Sequence, residues 1–481
     1  MRGIWTTDHI RQAEERLLAV TPEGALMRRA AHGVSVHAAR MLAEHTGSVS
    51  GRRVVLLVGA GNNGGDALWA GAFLRKRGVG VAAVLLQPGK AHPEGLAALR
   101  RAGGRVVPLA DGPQWIESAD LVVDGIVGIS AKGPLRPDAA ALVERVAAPV
   151  LAVDLPSGVE PDSGAVDGPA VRATATVTFG AYKPVHVLNP ERCGEVVFVD
   201  IGLGDELGEP DLRGLDAADV AAAWPMPGPS DNKYSQGVTG VAAGSSAYPG
   251  AAVLAAAAAV RATSGMVRYA GHAADVVRWH WPEVVATGSI FDAGRVQAWV
   301  VGPGIGTGSA GRDVLVHALG QGVPVCADAD AITIIAERPE VLDARDPDTP
   351  LLLTPHDGEF ERLTGNAPGP DRVGAVCEAA RRFDAVVLLK GHSTLVADPA
   401  GRVLVNKARG SWLATAGSGD VLSGLTGALL ASGVEPWLAA GVAADVHARA
   451  GELAARGVPA SASGVLAAIP DAIRQARSLA P

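Results

Sequence analysis

The sequence predicts an α/β protein of two domains, each a mainly parallel sheet in a three-layer α/β/α arrangement. Short Val- and Leu-rich runs alternate with helix-like segments, which is the rhythm of βαβ units covered on both faces. The rhythm occurs twice, on either side of a stretch rich in Gly, Pro, Asp and Glu. At 481 residues the chain also exceeds what one typical core absorbs.

Two helices open the chain, roughly Asp8 to Leu18 and Gly24 to Glu44. Buried strands follow at Val54 to Val58, Val79 to Leu86, Leu121 to Asp124 and Val150 to Asp154. Helices such as Ala67 to Arg77 and Asp138 to Val146 lie between them. This first domain is expected over residues 1–205. Over 206–233 the pattern fades, ending in Pro225-Met226-Pro227-Gly228-Pro229-Ser230, and reads as a linker with a short helix at Asp216 to Ala223. Strand-like runs resume at Val238 to Ala243, Ala298 to Val301, Val323 to Ala327, Leu351 to Thr354 and Val386 to Leu389. A helical tail after Asp420 completes a second domain over 234–481.

Composition narrows the function. Apolar residues make up 48% of the chain but aromatics only 4%, so helices pack on the sheets through small side chains. A net charge of −8 without any basic run argues against nucleic acid as a partner. Backbone amides can still bind phosphate locally. Cys193, Cys326 and Cys377 are too scattered for a disulfide framework. The N-terminus lacks a signal-peptide core, and the longest apolar run, Ala251 to Val260, is too short to span a bilayer. A cytoplasmic homo-oligomer with no membrane partner is expected.

The first candidate site is the turn Gly59-Ala60-Gly61-Asn62-Asn63-Gly64-Gly65-Asp66. It contains G-x-G-x-x-G, but a dinucleotide fingerprint also needs an acidic residue ending the next strand. That region reads Val84-Leu85-Leu86-Gln87. A tight strand-to-helix turn with an ordinary cap is the competing reading. Asp124 and Asp154 end two further strands, and ligands of open parallel sheets bind beyond such ends. Each Asp alone would pass as a cap; with Asn63 they mark a crevice.

Gly-Asn-Asn-Gly-Gly-Asp, Asp154-Leu155-Pro156-Ser157-Gly158-Val159, Thr178-Phe179-Gly180 and Lys183-Pro184 together resemble the NAD(P)H-hydrate epimerase family, over nearly all of 1–205. The resemblance implies a Rossmann-like domain. It places Asn62, Asn63, Gly64, Gly65 and Asp66 against hydrated NADH or NADPH, and Asp154 there as acid/base. The loop Gly128-Ile129-Ser130-Ala131-Lys132-Gly133-Pro134 would cover the phosphates. Asn63, Asp124 and Ser157 would hold a potassium ion, a hard cation suited to oxygen donors. Ala31-His32, Gly128-Ile129-Ser130-Ala131 and Val185 depart from the family pattern.

In the second half, Ala416-Gly417-Ser418-Gly419-Asp420 runs into the apolar helix Val421 to Leu430. Such a loop offers free amides to a phosphate, and its Asp can take a proton from a substrate hydroxyl. An Asp N-cap beside flexible glycines is the alternative. Lys390-Gly391-His392-Ser393-Thr394, Gly302-Pro303-Gly304-Ile305-Gly306 and Thr354-Pro355-His356-Asp357-Gly358-Glu359 follow other strands on the same side. Asp328-Ala329-Asp330-Ala331 is a fourth such loop, for which a structural role is favoured. These segments, with Gly244-Ser245-Ser246 and Pro249-Gly250-Ala251, resemble the hydrate dehydratase branch of the ribokinase-like superfamily. The resemblance implies that Ala251, Gly304, His356 and Asp420 meet the hydrated cofactor, with Asp420 as base. Lys390 to Thr394 and Gly419 would hold ADP, with magnesium on its phosphates. Together the two halves imply epimerisation of the hydrates and ADP-dependent dehydration of the S form. A ribokinase-like kinase for a vitamin precursor, and a first domain acting only as a binding scaffold, are the other readings.

Overall fold

The computed structural model describes residues 1–130, 133–263, 265–407 and 409–479. Ala131 and Lys132, expected in the phosphate loop, lie outside the described residues. The chain divides into two compact units, Gly3–Asp211 and Leu212–Pro481, with Met1 and Arg2 belonging to the latter. Among the described residues no helix is long and apolar enough to cross a membrane.

The strand β1 (Arg2–Ile4) and the helices Thr7–Val20 and Ala25–Thr46 precede the first sheet. That sheet comprises β2 (Arg53–Val58), β3 (Gly80–Leu85), β4 (Arg105–Val107), β5 (Leu121–Gly125), β6 (Val150–Val153), β7 (Ala175–Phe179) and β8 (Glu195–Val199). Its order is β4-β3-β2-β5-β6-β7-β8, and every pairing is parallel. The order reverses at β2, so a crevice opens there beyond the carboxyl ends. Val54, Leu56 and Val58 point into one core with Leu68 and Leu74. Val55 and Leu57 point into the opposite core with Val122 and Leu142. Because both faces are buried, the run reads as continuously apolar and not alternating.

The second unit contains β9 (Leu212–Gly214), β10 (Val238–Ala242), β11 (Met266–Ala270), β12 (Val285–Thr287), β13 (Ala298–Val301), β14 (Val325–Ala327), β15 (Leu351–Leu353), β16 (Val386–Leu389), β17 (Thr394–Ala397) and β18 (Val403–Asn406). They lie in the order β9-β18-β17-β16-β15-β14-β13-β10-β11-β12. Pairing is parallel from β12 to β16, and β17 is antiparallel to both its neighbours. The helices Pro249–Ala262, Ser418–Ala431, Pro436–Ala455 and Ala462–Leu479 share one alanine-rich core against this sheet. The stretch 206–233 is therefore no uniform spacer. Leu212–Gly214 pairs with β18, while Val220 and Trp224 are buried in the same core, the Trp224 indole donating to Ala262 O at 3.1 Å. Val220 on the helix Ala217–Ala223 and Trp224 at its C-cap anchor that segment in the core.

Candidate functional sites

The helix after β2 begins at Asn62 and runs to Arg75, five residues earlier than the sequence suggested. Gly61 turns the chain at φ 84°, and a side chain on Gly64 would press on Gly59 O at 2.4 Å. The glycines thus let the helix start directly against the strand end. Asn62 is exposed, whereas Asn63, Gly64, Gly65 and Asp66 are buried.

Asn63, Asp124 and Ser157 meet around the loop that follows β5. Asn63 Nδ2 donates to Val127 O at 2.9 Å, and Gly128 packs against the same amide. Asp124 is fully buried and accepts from Ser157 Oγ at 2.7 Å, Ser157 N at 2.8 Å and Ile126 N at 3.2 Å. Burial pushes its carboxyl up to about 6, against the opposing effect of these hydrogen bonds. No cationic side chain is among those partners. A buried carboxylate flanked by hydroxyl, amide and carbonyl oxygens fits a hard monovalent cation. Of the loop residues, Ser130, Gly133 and Pro134 line a cavity of about 510 Å³ with Gly59 and Gly158. Ile129 instead lends its carbonyl to Arg11 at 2.9 Å.

Asp154 occupies the left-handed region, φ 69°, a conformation costly for a non-glycine residue and found at functional sites. Four contacts hold it, one of them from Thr178 Oγ1 to Oδ1 at 3.3 Å. Its N–H donates to Val177 O at 2.7 Å, His186 Nε2 meets its carbonyl at 2.9 Å, and Lys183 Nζ donates to Oδ1 at 2.5 Å. Lys183 is buried and also donates to Thr178 Oγ1 at 2.9 Å. Burial, then the Lys183 charge, lowers the His186 imidazole to about 4. Asp66 Oδ1 is sealed without a hydrogen-bond partner among the described residues. Burial, then the charges of Asp154 and Glu14, hold the Asp66 carboxyl well above the usual range. Thr178 and Lys183 belong to the segments Thr178-Phe179-Gly180 and Lys183-Pro184, whose sequence alone does not show that they meet Asp154. Glu14, on the first helix, carried no signal in the sequence.

In the second unit Asp420 lies in the third position of the helix Ser418–Ala431, whose N-cap is Gly417, so it is not a cap. Burial, then the Asp328 charge, pushes its carboxyl up to about 6. Asp328, read from the sequence as structural, belongs to this site. Its Oδ1 accepts from Lys390 Nζ at 2.6 Å and its Oδ2 from Ser423 Oγ at 2.6 Å. Burial works against the Lys390 charge, but Asp328 and Glu359 outweigh it and the ammonium is raised. A Cβ on Gly419 would stand 3.4 Å from that ammonium, in ordinary contact, which places the turn beside Lys390.

A cavity of about 720 Å³ faces this turn and is lined by His356, Lys390, Gly391, His392, Thr394, Gly419 and His447, among others. Ser393 is buried and not part of that lining. His356 also caps the helix Asp357–Thr364, its Nδ1 accepting from Gly358 N at 3.1 Å. Ala251 and Gly304 lie together outside the cavity lining, a Cβ on Gly304 falling 3.4 Å from Ala251 Cβ. Ala251 sits in the first turn of Pro249–Ala262, whose Leu254 touches Gly417.

Comparison with known proteins places these two sites in context. Residues 23–185 match the family described as YjeF-related protein N-terminus, and 239–468 the family described as NAD(P)H-hydrate dehydratase. The bifunctional NAD(P)H-hydrate repair enzyme Nnr of Mycobacterium tuberculosis is 56% identical over 437 residues, 90% of each chain. Its namesake in Mycobacterium leprae is 54% identical over 481 residues, 98% of this chain and 99% of that one. A solved ribokinase-like superfamily protein from Enterococcus faecalis matches 56% of this chain and 98% of its own at 19% identity, with a TM-score of 0.50. That last likeness concerns the fold alone.

Proposed function

The chain belongs to the bifunctional NAD(P)H-hydrate repair enzyme family, and from that premise we propose how its two sites divide the repair. It epimerises the hydrates of NADH and NADPH in the first unit and dehydrates the S form at the expense of ADP in the second. The observation that carries the proposal is the pairing of two unlike carboxylates with their sites. Asp154 is locked by Lys183, and Asp420 stands in the first turn of a helix that starts beside Lys390.

In the first unit the hydroxyl-bearing ring carbon lies against Asp154, which moves the proton that inversion requires. Asn63, Asp124 and Ser157 would hold potassium, which supplies fixed positive charge beside the bound cofactor. The residues Asn62 to Asp66 and, in the loop after β5, Gly128, Ser130, Gly133 and Pro134 contact the hydrate and its phosphates.

In the second unit Asp420 accepts the proton of the ring hydroxyl as its oxygen bonds to the terminal phosphorus of ADP. The bond from that phosphorus to the bridging oxygen breaks and AMP leaves. The ring nitrogen lone pair then expels phosphate, and loss of a proton from the adjacent carbon restores the dihydronicotinamide. Lys390 to Thr394 and Gly419 orient the nucleotide, and the amides of the Ser418 turn absorb charge on the transferring group. Magnesium would shield the phosphates. His356 and Asp420, with Ala251 and Gly304, contact the hydrate.

Racemic hydrate with ADP tests the division. Both epimers are consumed by the intact chain, half remains with Asp154→Asn, and nothing is recovered with Asp420→Asn. Full consumption by Asp154→Asn, beyond the rate without enzyme, overturns the assignment of Asp154. A vitamin-precursor kinase would leave the hydrate untouched.

A further inference from the structure

The cavity of about 510 Å³ in the first unit has an uneven charge. One wall is the Gly59-Ala60 turn, a second is Leu86, Gln87 and Lys90 beyond β3, and a third is Arg136 and Asp138 after β5. In a nucleotide-binding sheet of this strand order, the end of the strand next to the glycine turn faces the adenosine ribose. A carboxylate there takes the 2′-hydroxyl, whereas a nearby cation takes a 2′-phosphate. Here the locus carries the neutral Gln87, then Lys90 in a short 3-10 turn started by Pro88. Arg136, at the N-cap of the helix Pro137–Val143, lines the same cavity. Asp138, the one carboxylate of the lining, sits in the first turn of that helix, where the helix dipole favours it.

We propose that Lys90 and Arg136 select the 2′-phosphate of hydrated NADPH over the 2′-hydroxyl of hydrated NADH. The inference rests on reading the first unit as the epimerase. A phosphate oxyanion spanning the two walls meets both cations, and Arg can grip it through two N–H donors. Both cations are exposed, so the preference is sensitive to salt.

The test uses the full chain without ADP, so that dehydration is silent, and follows conversion of each purified R hydrate by chromatography against an enzyme-free control. The expected kcat/KM for the NADPH hydrate exceeds that for the NADH hydrate by about tenfold, mainly through KM, which corresponds to about 1.4 kcal/mol. Lys90→Ala and Arg136→Ala each shrink the ratio several-fold, and added potassium chloride narrows it in the intact chain. Equal kcat/KM for the two hydrates, or a ratio that neither substitution changes, overturns the selection while leaving the epimerase reading in place. Absence of any enzyme-dependent conversion overturns both.

Discussion

Three side chains decide what the sites can do. As the proposed base, Asp420 works only when ionised, and burial, then the Asp328 charge, pushes its carboxyl up to about 6. Recovery of the dihydronicotinamide chromophore therefore falls as pH drops through that value, about tenfold per unit below it. Asp420→Asn lowers the rate by about 10²–10⁴ and leaves epimerisation intact. The same shift has a stability sign. A raised folded value means that the fold carries a disfavoured carboxylate above pH about 6, so Asp420→Asn raises the melting temperature there and loses that advantage at lower pH. Melts at two pH values check it. Lys183 is the opposite case. Lys183→Met removes one half of a buried ion pair and strands Asp154, costing about 3–5 kcal/mol. The epimerase unit should melt earlier and lose activity, and an unchanged urea midpoint for that unit would refute the pairing. Asp154 and Asp420 were legible as strand-end and turn residues. The partners Lys183 and Asp328 were not, because which cation meets which carboxylate depends on loops brought together from distant strands.

At the scale of elements, close packing explains residues whose chemistry is blank. A Cβ on Gly424 would lie 2.2 Å from Ala255 O, and one on Gly427 would lie 2.0 Å from Val300 Cγ2. The helix that carries Asp420 is thus wedged between the alanine-rich helix Pro249–Ala262 and β13. Gly424→Ala must push backbone aside, and overpacking of this kind costs about 1–3 kcal/mol. A lower denaturation midpoint of the dehydratase unit, with KM for ADP raised, is the expected result; full stability would show that the helices are not in contact there. The strands themselves were readable because both faces of a parallel sheet are buried. By contrast, Arg105–Val107, Ala175–Phe179, Glu195–Val199, Met266–Ala270, Thr394–Ala397 and Val403–Asn406 were not among the strands expected from the sequence; each is short, and in the edge strand Glu195–Val199 the apolar residues stay partly exposed. The start of the helix at Asn62 was misplaced for another reason. Paired glycines lower helix propensity, and only the close approach of Gly64 to Gly59 and of Gly65 to Met27 and His92 makes them necessary.

At the scale of the whole molecule, two ligands should act on two units separately. Anything bound to a folded unit alone stabilises it by RT ln(1 + [L]/Kd), about 2.7 kcal/mol at a hundredfold excess over Kd. In calorimetry, ADP with magnesium should raise the transition of the dehydratase unit only. Potassium, exchanged for a bulky organic cation, should shift only the epimerase unit, and Asp124→Asn should erase that shift. The amino-acid sequence alone determined the two α/β halves, the family, the glycine turns and the two carboxylates proposed as catalytic, because these depend on local pattern and neighbouring residues. Tertiary structure alone decided that Leu212–Trp224 joins the second unit, that Asp328 belongs to the site, and that Asp154 is held by Lys183. Each of these is a contact between residues far apart in the chain, and its free energy exists only once the sheets have brought their carboxyl ends together.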